Sequence, residues 1–191
     1  MKLLAVIDFQ HDFVDGKLGF PGAEKLDEPI AEKIREYINS GNLVLRTMDT
    51  HGDDYMNTRE GKHLPVTHCI YGTQGWEAYG ETGKAFKEIE KNPRYYSISK
   101  TSFAMSPYYV EDWLEWLLRN DIDFNDIDTI EFVGLVSNIC VISNMCVLQG
   151  ALPNAQIVVD PKLIASHDPK AHEAVLEVMK SLQVEFIGEE N

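Results

Sequence analysis

Three strand-like apolar runs of this 191-residue chain end on side chains that can do acid–base or nucleophilic chemistry: LLAVID at Asp8, YYSISK at Lys100, and EFVGLVSNIC at Cys140. In an open parallel α/β sheet, ligands bind outside the carboxyl ends of the strands. An acid, a cation and a thiol brought to that one edge would form an activated cysteine nucleophile. A fourth run, LVLRTMDTH, brings Asp49 and His51 to the same edge, two positions apart and able to project to one face. His68 follows seventeen positions after His51. Two imidazoles and a carboxylate with open positions suit Zn²⁺, Fe²⁺ or Mn²⁺. Glu60 and His63 are candidates for a fourth ligand, ahead of Asp53, Asp54 and Asn57.

Cys140 follows GLVSN, where strand period gives way to helix period. Ser137 or Asn138 can cap the helix there. A thiol in a first helical turn feels the positive end of the dipole, which favours the thiolate, and the unpaired N–H groups of that turn can hold an oxyanion. A buried structural cysteine is the competing reading; Cys69 and Cys146 are read that way. Asp8, at the end of a buried strand, pays for desolvation by a raised pKa, which suits a base. An aspartyl-phosphate chemistry would need a second carboxylate at the third position, which is Gln10. Lys100 alone would be a snorkelling surface residue; beside a thiol and an acid it lowers the thiol pKa and holds the pair together.

The elements that must position these groups follow from periodicity. Strands are expected at 3–8, 43–49, 95–99, 129–135, 156–160 and 184–188. Helices are expected at 28–40, 107–119, 138–149 and 170–181. Gly41 and Asp168-Pro169 act as stop and start signals. Strand–helix alternation with nearly continuous apolar strands predicts a parallel sheet with both faces covered, in one domain over 1–191. Residues 50–94 interrupt the rhythm, with one weak helical stretch around 81–90. A long irregular insertion in a compact domain is more often functional than not.

Bulk properties narrow the class further. A net charge of −14 without a basic cluster argues against nucleic acid. No apolar run is long enough to span a bilayer, and MKLLAVIDF reads as a first strand rather than a secretory signal. Three cysteines without CxxC spacing form no disulfide framework and fit a reducing, cytoplasmic setting.

The segments DFQHDF, DTH at 49–51, THCIYGT at 67–73, SKTSF at 99–103 and GLVSNICV at 134–141 together resemble the isochorismatase-like cysteine hydrolases, and among them the nicotinamidases. The resemblance implies a three-layer α/β/α fold around a six-stranded parallel sheet. It implies a triad of Asp8, Lys100 and Cys140, and a cis peptide between Leu135 and Val136 that aims the Val136 and Cys140 N–H groups at an oxyanion. It implies a divalent metal, zinc with manganese or iron as alternatives, on Asp49, His51, His68 and Glu60. That metal binds the pyridine nitrogen of the substrate, Phe13 stacks on the ring, and Phe103 is a second aromatic contact. The implied reaction is nicotinamide to nicotinate and ammonia, within NAD salvage, by a homodimer or homotetramer. The Asp-x-His pair favours this branch, whereas Leu64, Pro65 and Val66 stand where many nicotinamidases have an aromatic wall. Three other readings stay open: another small amide or carbamoyl compound as substrate, a metal-dependent hydrolase with a structural Cys140, and a catalytically silent ligand-binding protein.

Overall fold

A computed structural model describes residues 1–188. Six strands form the sheet: β1 (Lys2–Ile7), β2 (Leu43–Asp49), β3 (Tyr95–Lys100), β4 (Thr129–Leu135), β5 (Gln156–Ala165) and β6 (Glu185–Phe186). Their order is β3-β2-β1-β4-β5-β6, and every neighbouring pair is parallel. Seven helices accompany them: α1 (His11–Val14), α2 (Asp27–Asn39), α3 (Arg59–His63), α4 (Gly80–Glu88), α5 (Pro107–Arg119), α6 (Ile142–Ala151) and α7 (Pro169–Ser181).

Alternation along β1 builds two cores. Leu3, Ala5 and Ile7 pack with Trp113 and Leu117 of α5, Met145 and Leu148 of α6, and Val175 and Met179 of α7. Leu4 and Val6 pack on the other face with Ile30, Ala31 and Ile34 of α2 and Ala85 and Phe86 of α4. These two helical layers around one sheet make the three-layer α/β/α architecture. Burying one such aliphatic side chain contributes roughly 1.5–3 kcal/mol, so the layers are held chiefly by this apolar stripe pattern.

After β1 the chain moves outward through β2 to β3. It then returns by α5 to β4, on the other side of β1. The reversal opens a crevice at the carboxyl ends of β1 and β4, the position where doubly wound sheets take ligands. Gly134 lets β4 approach β1 there: its φ is +113°, a conformation that favours glycine, and a Cβ would lie 2.1 Å from the Ile7 carbonyl oxygen.

Several boundaries differ from the sequence expectation. Strand β5 runs to Ala165 rather than ending at 160, because a register shift between Phe132 and Gly134 lets pairing resume beyond Pro161. Strand β6 shortens to Glu185–Phe186. The helix expected at 138–149 begins as a π turn over Ser137–Val141 and becomes α-helical only from Ile142. Helix α3 was not expected; the Thr58 hydroxyl caps it by accepting from the Gly61 N–H at 3.0 Å. Asp168 does cap α7, its carboxylate accepting from the Lys170 and Ala171 N–H groups.

Candidate active site

Asp8 follows β1 with φ at +45°, in the left-handed region, which Asp tolerates better than most residues. Its Oδ1 accepts a hydrogen bond from the Thr47 hydroxyl at 2.7 Å. The Lys100 ammonium lies 2.6 Å from Oδ2 and 3.6 Å from Asp49 Oδ1. Lys100 also donates toward the Cys140 sulfur at 3.9 Å. All three members of the expected triad therefore meet, with Asp8 and Lys100 fully buried. The Asp8 carboxylate thus faces both the Lys100 ammonium and the Cys140 thiol.

Burial decides the charge states. It pushes Asp8 above the ordinary carboxylate value, with Lys100 pulling down and Asp49 adding to the rise. Burial works against the Lys100 ammonium, but the charges of Asp8, Cys140 and Asp49 outweigh it and hold Lys100 protonated. Burial also raises Cys140 well above an ordinary thiol; Lys100 opposes this and Asp8 reinforces it. The helix-end contribution that favours a thiolate is thus outweighed. A helix end lowers a thiol pKa only modestly, and enclosure beside two carboxylates overrides it.

The turn that carries Cys140 is held from outside. The peptide bond between Leu135 and Val136 is cis. Ser137 makes no cap; its hydroxyl pairs instead with His172 Nδ1 of α7 at 2.9 Å. Asn144 Nδ2 donates to the Cys140 and Phe103 carbonyls at 2.7 and 2.9 Å, while its Oδ1 accepts from the Met105 N–H at 2.8 Å. That side chain ties the exit of β3 to the nucleophile turn.

Beside the triad, Asp49, His51, Glu60 and His68 each offer one ligand atom, and all four atoms lie within 4.8 Å of one another. Asp49 Oδ2 is 2.9 Å from His51 Nε2 and 3.2 Å from His68 Nε2. Glu60 Oε1 lies 3.7 and 3.6 Å from the same nitrogens. His68 Nδ1 is 2.8 Å from the Val66 carbonyl. A carbonyl can only accept, so Nδ1 carries the proton and Nε2 turns a lone pair to the group. Two imidazole nitrogens and two carboxylates converging on one point fit a Zn²⁺-, Fe²⁺- or Mn²⁺-type cation. His63, the rival fourth ligand, bonds the Arg59 carbonyl and stays outside the cluster. Burial opposes the Asp49 charge, but its close contacts with the His51 and His68 imidazoles and the charge of Lys100 hold it well below the ordinary carboxylate range. Glu60 is raised, by burial and then by Asp49.

Two residues of DFQHDF position this cluster. Gln10 Nε2 donates to the Asp49 and Trp76 carbonyls, and its Oε1 accepts from the Asp49 N–H at 2.7 Å. Asp12 accepts from the Cys69 N–H at 2.7 Å and so fixes the loop that carries His68. Phe13 packs edge-on against His68, with ring centroids 5.6 Å apart. Phe13 and Phe103 both line the cavity above Cys140, which measures about 640 Å³. Cys69 is buried, whereas Cys146, read as structural, faces solvent on α6. Thr47, Asn144 and His172 were not singled out in the sequence. Thr47 alternates in β2 with the inward-facing residues, the one signal that could have found it.

Taken together, fold and site define a doubly wound α/β protein with a buried acid–lysine–cysteine cluster beside a group of side chains that could hold a metal, at the sheet's switch point. The Isochorismatase domain matches residues 2–190, and the chain belongs to that family. It is 29% identical over 175 residues to a Bacillus subtilis protein named as an uncharacterized isochorismatase family protein, covering 90% of each chain. The crystal structure of a B. subtilis nicotinamidase superposes with a TM-score of 0.80 at 25% identity, over 97% of this chain and 99% of that one. A Pyrococcus horikoshii pyrazinamidase crystallised in complex with zinc gives 0.74 at 20% identity, over 97% and 98%. Among the described residues, no helix is long and apolar enough to cross a membrane.

Proposed function

We propose that the protein hydrolyses a small amide, nicotinamide to nicotinate and ammonia, through a thioester on Cys140. The observation that carries this is the meeting of Asp8, Lys100 and Cys140 beside a cavity lined by Cys140 and by Asp49, Glu60 and His68 of the four-residue group. The nicotinamidase and pyrazinamidase relatives support the choice of a pyridine-type amide. In the resting enzyme the thiol is neutral and Asp8 is the base. Asp8 takes the Cys140 proton as sulfur bonds to the amide carbon, and the Val136 and Cys140 N–H groups receive the oxyanion. As the C–N bond breaks, protonated Asp8 returns that proton to the leaving nitrogen, and ammonia departs. Asp8 next takes a proton from water, whose oxygen attacks the thioester; the acid leaves and the proton restores the thiol. Lys100 keeps its positive charge throughout and offsets the charge that moves between carboxylate and sulfur. Asp49, His51, His68 and Glu60 would hold a divalent cation, which when bound supplies a Lewis-acid contact for the ring nitrogen and orients the substrate.

Ammonia release from nicotinamide tests the proposal, with and without Zn²⁺, Mn²⁺ or Fe²⁺. We expect turnover that dialysis against a chelator reduces at least tenfold and that added metal restores. His68→Ala should lower metal content by a similar factor with the fold unchanged. A folded, metal-loaded protein that releases no ammonia would exclude nicotinamide.

The pH profile has a defined sign. Asp8 must be ionised to act as base, and its pKa lies above the ordinary 3.8. Activity should therefore fall as pH falls, with the midpoint of the acid limb in kcat/KM above 3.8. The raised thiol adds no titration near neutrality. A profile flat down to the ordinary carboxylate value would remove Asp8 from the base role.

A further inference from the structure

Resting on the amidase reading, the geometry of the cavity points to a narrower class of substrate. Its lining sorts by depth. Asp49, His68, Val136 and Cys140 are buried and form the floor, whereas Arg59, His63 and His167 are exposed and form the rim. Phe13, Leu18 and Ile139 supply apolar wall between them. At about 640 Å³ the space belongs with sites for drug-sized ligands, ~300–1,000 Å³, and a nine-heavy-atom amide fills a small part of it.

The charge at the rim runs against the rest of the molecule. The chain carries 31 acidic against 17 basic residues, yet the two acids that line this cavity, Asp49 and Glu60, both belong to the cation cluster at its floor. Arg59 makes no ion pair among the described residues, although its guanidinium is charged at every working pH. A planar fork of donors free at a cavity mouth matches a carboxylate, which it can grip through two parallel hydrogen bonds. His63 and His167 line the same cavity and add no negative charge. In a protein of net charge −14, such a rim is what would let an anionic ligand enter against the overall field.

We propose that the cavity takes small amides bearing a carboxylate at the end remote from the scissile amide, with Arg59 as the residue that selects it. The carboxylate must sit on a ring carbon or on a short chain from one, because the ring nitrogen faces the cation cluster.

Calorimetric titration of the Cys140→Ala protein separates this inference from the amidase reading, since binding there does not depend on turnover. The probes are nicotinamide, 5-carbamoylpyridine-3-carboxylate and its longer homologue 5-carbamoylpyridine-3-propanoate, the last two covering short and long reach to the rim. At least one carboxylate probe should bind tenfold or more tighter than nicotinamide, and adding Arg59→Gln should remove the difference. Equal binding of all three probes, tighter binding of nicotinamide, or a preference that survives Arg59→Gln overturns the inference. Ammonia release by the wild type is read separately. Turnover of nicotinamide without a carboxylate preference removes the inference alone, while hydrolysis of none of the three removes the amidase reading.

Discussion

Cys140→Ala and Asp8→Asn should each abolish ammonia release, lowering kcat on the order of 10⁴-fold or more, and the double mutant should be no worse than either single one. The reason lies in the charge states. The thiol sits at 5% exposure with its pKa pushed far up, so it has no useful population of thiolate without a partner to take its proton. Asp8 is that partner, and without Cys140 the Asp8 base has no nucleophile to serve. Groups that act as one unit fail together, and their losses do not add. Metal content and far-UV circular dichroism should match the wild type, because neither substitution touches a ligand of the cation cluster. Mass spectrometry of quenched reactions supplies a second readout: an acyl adduct on Cys140 in the wild type and none in Cys140→Ala. Residual activity within 100-fold of the wild type in Cys140→Ala, or strictly additive losses, would leave the thioester route without support.

How much of this was legible in the sequence depends on the range of the interactions involved. The strands were readable because LLAVI, LVL and EFVGL are continuous apolar runs, as the two covered faces require. Their ends delivered Asp8, Asp49, Lys100 and Cys140 to one edge, since a parallel sheet aligns all carboxyl termini. The insertion at 50–94 was not readable, and its construction shows why. It is pinned by remote side chains acting on backbone groups: Gln10 on Trp76, Asp12 on Cys69, and Asp27 on the Glu81 and Thr82 N–H groups. Such bonds span 54–66 positions and leave no periodicity behind. The same cause defeats the expected Ser137 cap, because His172, 35 positions on, takes the hydroxyl. The charge state of Cys140 is likewise set at long range. A helix-end argument is local, whereas Cys140 is buried beside Asp8, Asp49 and Lys100, which the sheet brings from remote parts of the chain.

Lys100→Met should destabilise the fold by about 3–5 kcal/mol, the cost of removing one partner from a buried ion pair. The side chain is 0% exposed and carries the only positive charge within reach of Asp8 Oδ2 and Asp49 Oδ1 among the described residues. Methionine fills the aliphatic volume, so the loss measures the carboxylates left without compensation rather than a cavity. The sign with pH follows. Removing Lys100 raises Asp8 further, so the folded state binds a proton that the unfolded chain, titrating near 3.8, has already released. Where the unfolded state binds fewer protons, stability falls as pH rises. The deficit of Lys100→Met should therefore grow from acid toward neutral pH and shrink again on acidification. The double mutant Asp8→Asn/Lys100→Met removes the charge along with its partner, and should recover most of the loss at neutral pH while staying inactive. Urea melts of the four proteins at two pH values give the coupling directly. Additivity of the two substitutions, or a deficit independent of pH, would mean that Lys100 is held by packing. The ion pair would then contribute nothing to the charge balance on which the proposed proton transfers depend.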